Sequence, residues 1–233
     1  MLNSLLENKI SENPINIYII DGGNLSSHNK LKLEKSLQRF NVNPQFLIVD
    51  DSLYNDCIIN RYYSMGMFCR ISIPDLLDKE IQKALYLDCD LIVKEDITCL
   101  WETNIDDYFI AAVYDPNDLR IEELLIPKEH GYFNSGVLLL NLKKWRENDL
   151  SNKVLQFIKD NPSKLLYPDQ DALNVILHDK WLKLDDKWNV RANRLKKTNI
   201  KPAIIHYTGK NKPWNGNPPR RKAFFKYLKK TLW

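Results

Sequence analysis

Nowhere in its 233 residues does the chain hold the run of about 18 apolar residues that a membrane-crossing helix requires. Its opening, MLNSLLENK, lacks the basic region followed by an apolar core that marks a secretory signal. The four cysteines, Cys57, Cys69, Cys89 and Cys99, show neither zinc-site nor redox spacing. They read as reduced, mostly buried thiols, which points to a cytoplasmic setting. There is no internal repeat and no low-complexity segment. No nucleic-acid-binding module or broad basic face is present, so nucleic acid is not expected as a partner. What remains is an ordinary globular composition, 44% hydrophobic and 27% charged with a formal charge of +4. A domain of this size buries roughly 70% of its unfolded surface, so neither disulfide nor metal is needed to hold a core.

Short apolar runs alternate with helical stretches, and acids close many of the runs. Residues 15–20 (INIYII) stop at Asp21, and 46–49 (FLIV) at Asp50 and Asp51. Residues 83–87 (KALYL) stop at Asp88-Cys89-Asp90, and 109–113 (FIAAV) shortly before Asp115. Residues 133–141 (FNSGVLLLN) and 203–207 (AIIHY) are further strands. Between them, Ser26 or Ser27 caps a helix whose apolar face is Leu31, Leu33, Leu37 and Phe40. Helices are also predicted over 65–77, 150–160 and 169–179. The alternation predicts an α/β fold with a mostly parallel sheet, and ligands of open α/β sheets gather outside the carboxyl ends of the strands.

Two segments carry chemistry. Asp88 and Asp90 flank one residue at a strand exit, where the turn lets both carboxylates converge. Two oxygen ligands there suit Mn²⁺ or Mg²⁺, which could in turn bind a diphosphate. Asp-x-Asp alone recurs in surface loops. Its position between YL and LIV matters, because burying two acids without a cation is costly. The second segment, His206 to Trp214 (HYTGKNKPW), offers an imidazole as a third ligand, Gly209 for close backbone approach and Lys212 to neutralise phosphate. A capped strand with a solvated basic loop is its plainer reading.

Four motifs in order, LYLDCDLIV, YFNSGVLLLNLKKWRE, PDQDALNVIL and IIHYTGKNKPW, resemble glycosyltransferase family 8. That group includes bacterial lipopolysaccharide α-glucosyl- and α-galactosyltransferases and glycogenin. The resemblance implies a GT-A fold, a UDP-sugar donor, Mn²⁺ and retention of anomeric configuration. It implies Asp88, Asp90 and His206 as metal ligands, and Gly209 and Lys212 on the diphosphate. Arg70 would reach the donor, Asp115 and Asn134 would bind the transferred sugar, and Asp169 and Gln170 would lie beside the reacting carbon. The plainer alternatives are a strand-end turn for Asn134, a helix N-cap for Asp169 and a surface ion pair for Arg70.

Set against that family, Met1 falls inside the expected first helix, so the first β-strand is expected to be missing and with it the wall that grips the base. Residues 1–217 are read as the catalytic domain. Residues 218–233 (PPRRKAFFKYLKKTLW) form a basic-aromatic tail, either a helix docked on the body or a contact for an anionic membrane surface. The function implied is transfer of glucose or galactose to a saccharide or lipid-linked saccharide acceptor. A non-catalytic binding remnant is the competing class. A metal-dependent nucleotidyltransferase or phosphohydrolase would also use paired aspartates, but leaves the second and fourth motifs unexplained.

Overall fold

The computed structural model describes residues 1–54, 65–195 and 199–233. In chain order its helices and strands are α1 (Leu2–Glu7), β1 (Tyr18–Asp21), α2 (Ser27–Gln38), β2 (Gln45–Ile48), α3 (Ile73–Leu76), β3 (Lys83–Leu87) and β4 (Leu91–Val93). Then come α4 (Thr98–Trp101), β5 (Ile110–Tyr114), α5 (Asp118–Glu123), β6 (Phe133–Asn141), α6 (Leu142–Glu147) and α7 (Leu150–Asp160). The last are α8 (Pro168–Leu177), β7 (Trp181–Leu184), β8 (Val190–Arg191), β9 (Ile204–His206) and α9 (Arg221–Leu228).

β6 explains why the sheet has two covered faces. Its run VLLL (137–140) is apolar without alternation, which suits a strand buried on both sides. Phe133, Leu138 and Leu140 join one core with Trp145 of α6, Val154 and Ile158 of α7, and Leu173 and Leu177 of α8. Val137 and Leu139 point the other way, into a core with Leu5 and Leu6 of α1, Leu37 of α2 and Trp188. Helix α7 presents Leu150, Val154, Leu155 and Ile158 at helical spacing, so one stripe is buried and the rest is polar. Ser26 caps α2 as expected, its side chain accepting from the Asn29 N–H, but Leu31 turns out of the core and is exposed.

The expectation of a mostly parallel sheet is corrected. Among the described residues the strands pair in the orders β1-β2, β3-β6-β5-β7 and β4-β9-β8. Three pairings are parallel (β1–β2, β5–β7, β8–β9) and three antiparallel (β3–β6, β5–β6, β4–β9). One of the antiparallel pairings is β4 against β9, and the other two come from β6, which inserts between β3 and β5 running against both. This reversal brings the start of β6, Asn134 to Gly136, to the same edge as the ends of β3 and β5. The pairing of β6 with β5 also shifts register between Ala112 and Val113, moving Leu138↔Ala112 to Asn134↔Val113. Ser135 and Gly136 are thereby freed from that ladder, as bulges beside functional sites often do.

Two smaller expectations also change. Only the end of the predicted helix 65–77 is α-helical: Met65–Ser72 is a 3₁₀ helix and α3 follows with Pro74 in its first turn. Pro74 has no N–H to donate to the Arg70 carbonyl, so a continuous α ladder is broken there. Of the described cysteines Cys69 is buried, whereas Cys89 and Cys99 are exposed. Cys89 sits at the outside of a turn whose two aspartates point inward, and Cys99 lies on the outer side of α4 while Leu100 takes the core. Cys57 lies outside the described residues.

The tail is docked. Ala223, Phe224 and Tyr227 of α9 pack against Ile92, Ala192, Ile205 and Tyr207. The Tyr227 hydroxyl accepts from Asn8 Nδ2 at 2.9 Å, and the Tyr227 carbonyl from Asn3 Nδ2 at 2.9 Å, tying α9 to α1. Among the described residues no helix is long and apolar enough to cross a membrane.

Candidate active site

The ends of β3 and β9 meet across the Asp88-Cys89-Asp90 turn. β4 begins directly after that turn and pairs antiparallel with β9, so Leu91 lies opposite His206. One ligand atom each from Asp88, Asp90 and His206 falls within 4.8 Å of the others. His206 Nε2 is 3.1 Å from Asp90 Oδ1 and 3.4 Å from Asp88 Oδ2. Asp90 Oδ1 is buried, and it faces this imidazole nitrogen. Two carboxylate oxygens and an imidazole nitrogen converging on one largely buried point fit a hard-to-borderline divalent cation, so the three residues suit the metal the resemblance implies.

Around this point the charges are tightly paired. The Lys212 ammonium meets Asp90 Oδ2 and donates to the Tyr207 carbonyl at 2.7 Å, so a side-chain cation already sits beside the turn. Burial works against the charge on His206, yet hydrogen bonding and attraction from Asp88 and Asp90 outweigh it and push its pKa up to about 9. Burial likewise opposes ionisation of Asp88, but Arg70 and His206 hold that carboxyl well below its usual range. Asp90 is also lowered, with His206 and Lys212 overcoming its burial and the repulsion of Asp88.

Arg70 is the hub. Its side chain is only 7% exposed and spans Asp88 Oδ1 at 3.0 Å and Asp169 Oδ2 at 3.1 Å. It also donates to the Ser135 carbonyl at 2.6 Å and the Ser135 hydroxyl at 2.8 Å, and lies over the Tyr86 ring at 4.7 Å. Tyr86 in turn donates to Asp88 Oδ1 at 2.5 Å. The surface-pair alternative for Arg70 is therefore not what the fold uses. Nor is Asp169 an N-cap: Tyr167 holds that position in α8, and Asp169 is buried beneath Arg70, its pKa raised chiefly by burial.

Asn134 is likewise more than a turn residue. Its Nδ2 donates to Gln170 Oε1 at 2.8 Å, and its Oδ1 accepts from Asn189 Nδ2 at 2.8 Å. Gln170 Oε1 also accepts the Ser135 N–H at 3.0 Å. Asp115 closes β5 at this edge, but pairs with Arg191 through Nη1 at 2.8 Å and Nη2 at 2.5 Å, while burial raises its pKa. Gly209 stands in an open turn at φ +78°, a conformation that favours glycine, with nothing among the described residues within 4 Å of a Cβ built there.

Four participants escaped the sequence reading: Tyr86, Ser135, Gly136 and Asn189. Gly136 could have been found from its motif, FNSG, where a glycine interrupts a strand. The other three carry no local signal, since tyrosine, serine and asparagine occur in any loop or strand.

Comparison with known proteins decides the family. The model for glycosyl transferase family 8 matches residues 1–217. The chain belongs to that family. General stress protein A of Bacillus subtilis (strain 168) is 36% identical over 254 aligned positions, covering 100% of this chain and 88% of that protein. Lipopolysaccharide 1,2-glucosyltransferase of Escherichia coli (strain K12) is 34% identical over 66% of this chain, which spans about half of that protein's length (51%). The crystal structure of the galactosyltransferase LgtC with donor and acceptor sugar analogs superposes at a TM-score of 0.91 and 23% identity, covering 100% of this chain and 90% of that one. This glycosyltransferase therefore has the GT-A fold expected of it, built on mixed rather than mostly parallel sheets.

Proposed function

We propose that this glycosyltransferase is a retaining hexosyltransferase. It moves glucose or galactose from a UDP-sugar to a saccharide acceptor of a cell-surface glycan, with Mn²⁺, or Mg²⁺, held by Asp88, Asp90 and His206. The observation carrying the reading is the convergence of Asp88 Oδ2 and the buried Asp90 Oδ1 on His206 Nε2, with Lys212 alongside. When bound, the cation stabilises the charge that grows on the departing diphosphate. Lys212 exchanges its contact with Asp90 for a phosphate oxygen, and the turn at Gly209 lets backbone N–H groups approach the same group. Arg70 keeps the Asp88 carboxylate in place and reaches the donor, while Asp115 and Asn134 hold the transferred sugar.

Asp169 and Gln170 sit under the reacting carbon. Gln170 Oε1 already accepts from Asn134 Nδ2, the Ser135 N–H and the Ser135 hydroxyl, so nucleophilic attack would require it to give these bonds up. A fixed dipole that needs no reorganisation fits that setting better. In this scheme the acceptor oxygen bonds to the anomeric carbon on the face the diphosphate leaves. The carbon–oxygen bond to diphosphate breaks, and the acceptor proton passes to a diphosphate oxygen.

Incubated with Mn²⁺ and UDP-glucose or UDP-galactose, the protein is expected to release UDP, and EDTA to stop it. His206→Ala is expected to weaken Mn²⁺ and UDP binding together, by about 10-fold or more. Mn²⁺-dependent UDP affinity left unchanged in that variant would count against the site.

The reading extends to a cytoplasmic enzyme working at the inner face of the cell membrane. Lys222, Lys226, Lys229 and Lys230 are exposed in and just after α9, near exposed Leu232 and Trp233. This chemistry suits an anionic surface presenting lipid-linked acceptors. The protein should co-sediment with vesicles rich in phosphatidylglycerol and not with neutral ones. Charge reversal at Lys222, Lys226 and Lys229 should abolish that, and equal binding to both vesicle types would refute it.

A further inference from the structure

The geometry points to Asn189 as a positioning residue that selects which ring nitrogen of His206 faces the cation site. It does so as one link of an amide relay running from Gln170. The inference rests on the proposed role of Asp88, Asp90 and His206 in holding a divalent cation.

The argument starts from two groups whose roles are fixed, since backbone N–H groups can only donate. Ser135 N–H donates to the Gln170 side chain at 3.0 Å, so the atom there must be the amide oxygen. Its partner across 2.8 Å on Asn134 must then be the Nδ2 donor. The opposite atom of Asn134 is its oxygen, a role independently required because it accepts the Gly136 N–H at 3.2 Å. Asn189 can approach that oxygen at 2.8 Å only with Nδ2. It therefore turns Oδ1 to His206 Nδ1 at 2.9 Å, and Nδ1 must carry a proton.

An amide orientation is usually an assignment, and here two main-chain donors determine it through three side chains. The consequence falls on the other ring nitrogen: Nε2, the one facing Asp88 and Asp90, is the nitrogen that gives up its proton and offers its lone pair when a cation binds. Ligating histidines commonly have the opposite ring nitrogen fixed in this way by an acceptor, which sets both tautomer and ring plane. In this chain that acceptor is Asn189, 5% exposed at the end of a short 3₁₀ turn just before β8. The same relay ties Gln170 and Asn134, expected beside the sugar, to His206 at the diphosphate end.

The test uses the full chain labelled with ¹⁵N-histidine. In the metal-free wild type, His206 is expected to show a slowly exchanging Nδ1 proton, identified by its loss in His206→Gln. Asn189→Asp keeps an oxygen toward Nδ1 but removes the donor to Asn134. It should retain that proton and bind Mn²⁺ within about threefold of wild type, while releasing UDP from the donor at least fivefold more slowly at saturation. Asn189→Leu should lose the protected proton and bind Mn²⁺ about 10- to 100-fold more weakly, read from free Mn²⁺ by electron paramagnetic resonance. A purely space-filling Asn189 predicts no rescue by aspartate. A bare or rapidly exchanging Nδ1 in the wild type, which needs no variant to fold, overturns the relay and leaves the cation site standing. So does unchanged Mn²⁺ affinity in Asn189→Leu. A protected Nδ1 proton in a wild type that binds no Mn²⁺ overturns the cation site instead, and the positioning role with it.

Discussion

Arg70→Met is expected to destabilise the protein by about 3–5 kcal/mol, the usual cost of removing one partner from a buried charge network. The guanidinium is the common counter-charge of Asp88 and Asp169 and also ties down Ser135 at the start of β6. Methionine fills similar space but pairs with nothing, leaving Asp169, 2% exposed, buried with no cation beside it. Burial already raises the pKa of Asp169 against the pull of Arg70, so loss of the arginine should drive it to take up a proton. A group whose pKa is raised on folding destabilises the folded state as pH rises past its unfolded value, so the defect should be larger at neutral pH than near pH 4. Urea denaturation at the two pH values checks this. Arg70→Lys should recover only part of the loss, because a single ammonium cannot span two carboxylates and a carbonyl. A variant with wild-type stability at neutral pH would show that the network is not what holds this edge of the sheet together.

Gly136→Ala should cost less stability and nearly all of the site. A Cβ built on Gly136 lies 2.1 Å from His206 Cε1 and 2.7 Å from both His206 Nδ1 and Asp88 Oδ2. These are separations at which something must move, and each neighbour is held: His206 by β9 and Asn189, Asp88 by Arg70 and Tyr86. Overpacking of this kind costs about 1–3 kcal/mol. The strand can give that up and stay folded, but the ligand geometry cannot be kept. Divalent-cation affinity is expected to fall at least tenfold, and UDP release by about 100-fold, as when a single transition-state contact is lost. Gly22→Ala is the control, since among the described residues its added methyl would meet only Cys69 Sγ, at an ordinary contact distance of 3.6 Å. If Gly136→Ala binds Mn²⁺ as the wild type does, the close approach of β6 to His206 is not a constraint on the site.

Much of the fold was legible because its signals are local. The apolar run 83–87 became β3 with the same bounds, 133–141 became β6, and 150–160 became α7. Periodicity and propensity act within a few residues, so they survive without knowledge of partners. The short strands β7 (WLKL) and β8 (VR) were not foreseen, because neither holds the continuous apolar run that marked β1, β2 and β9. Strand direction was misjudged for a different reason: alternation of helix and strand predicts parallel neighbours, whereas β6 inserts between β3 and β5 against both and β4 runs against β9.

The same division holds at the site. By itself, the sequence determined that Asp88 and Asp90 leave a strand together, that His206 lies at the end of another with Lys212 shortly after it, and that four ordered motifs resemble one transferase family. Those are properties of residue type and spacing. Only the tertiary structure decided that the antiparallel course of β6 carries Asn134 and Gly136 to the edge where β3 ends. It also decided that Arg70 lies buried between Asp88 and Asp169, and that Asn189 fixes the ring of His206 from behind. Such roles depend on which donors and acceptors meet across long stretches of chain, and nothing in an isolated asparagine, tyrosine or serine records what it will face once the sheet is closed.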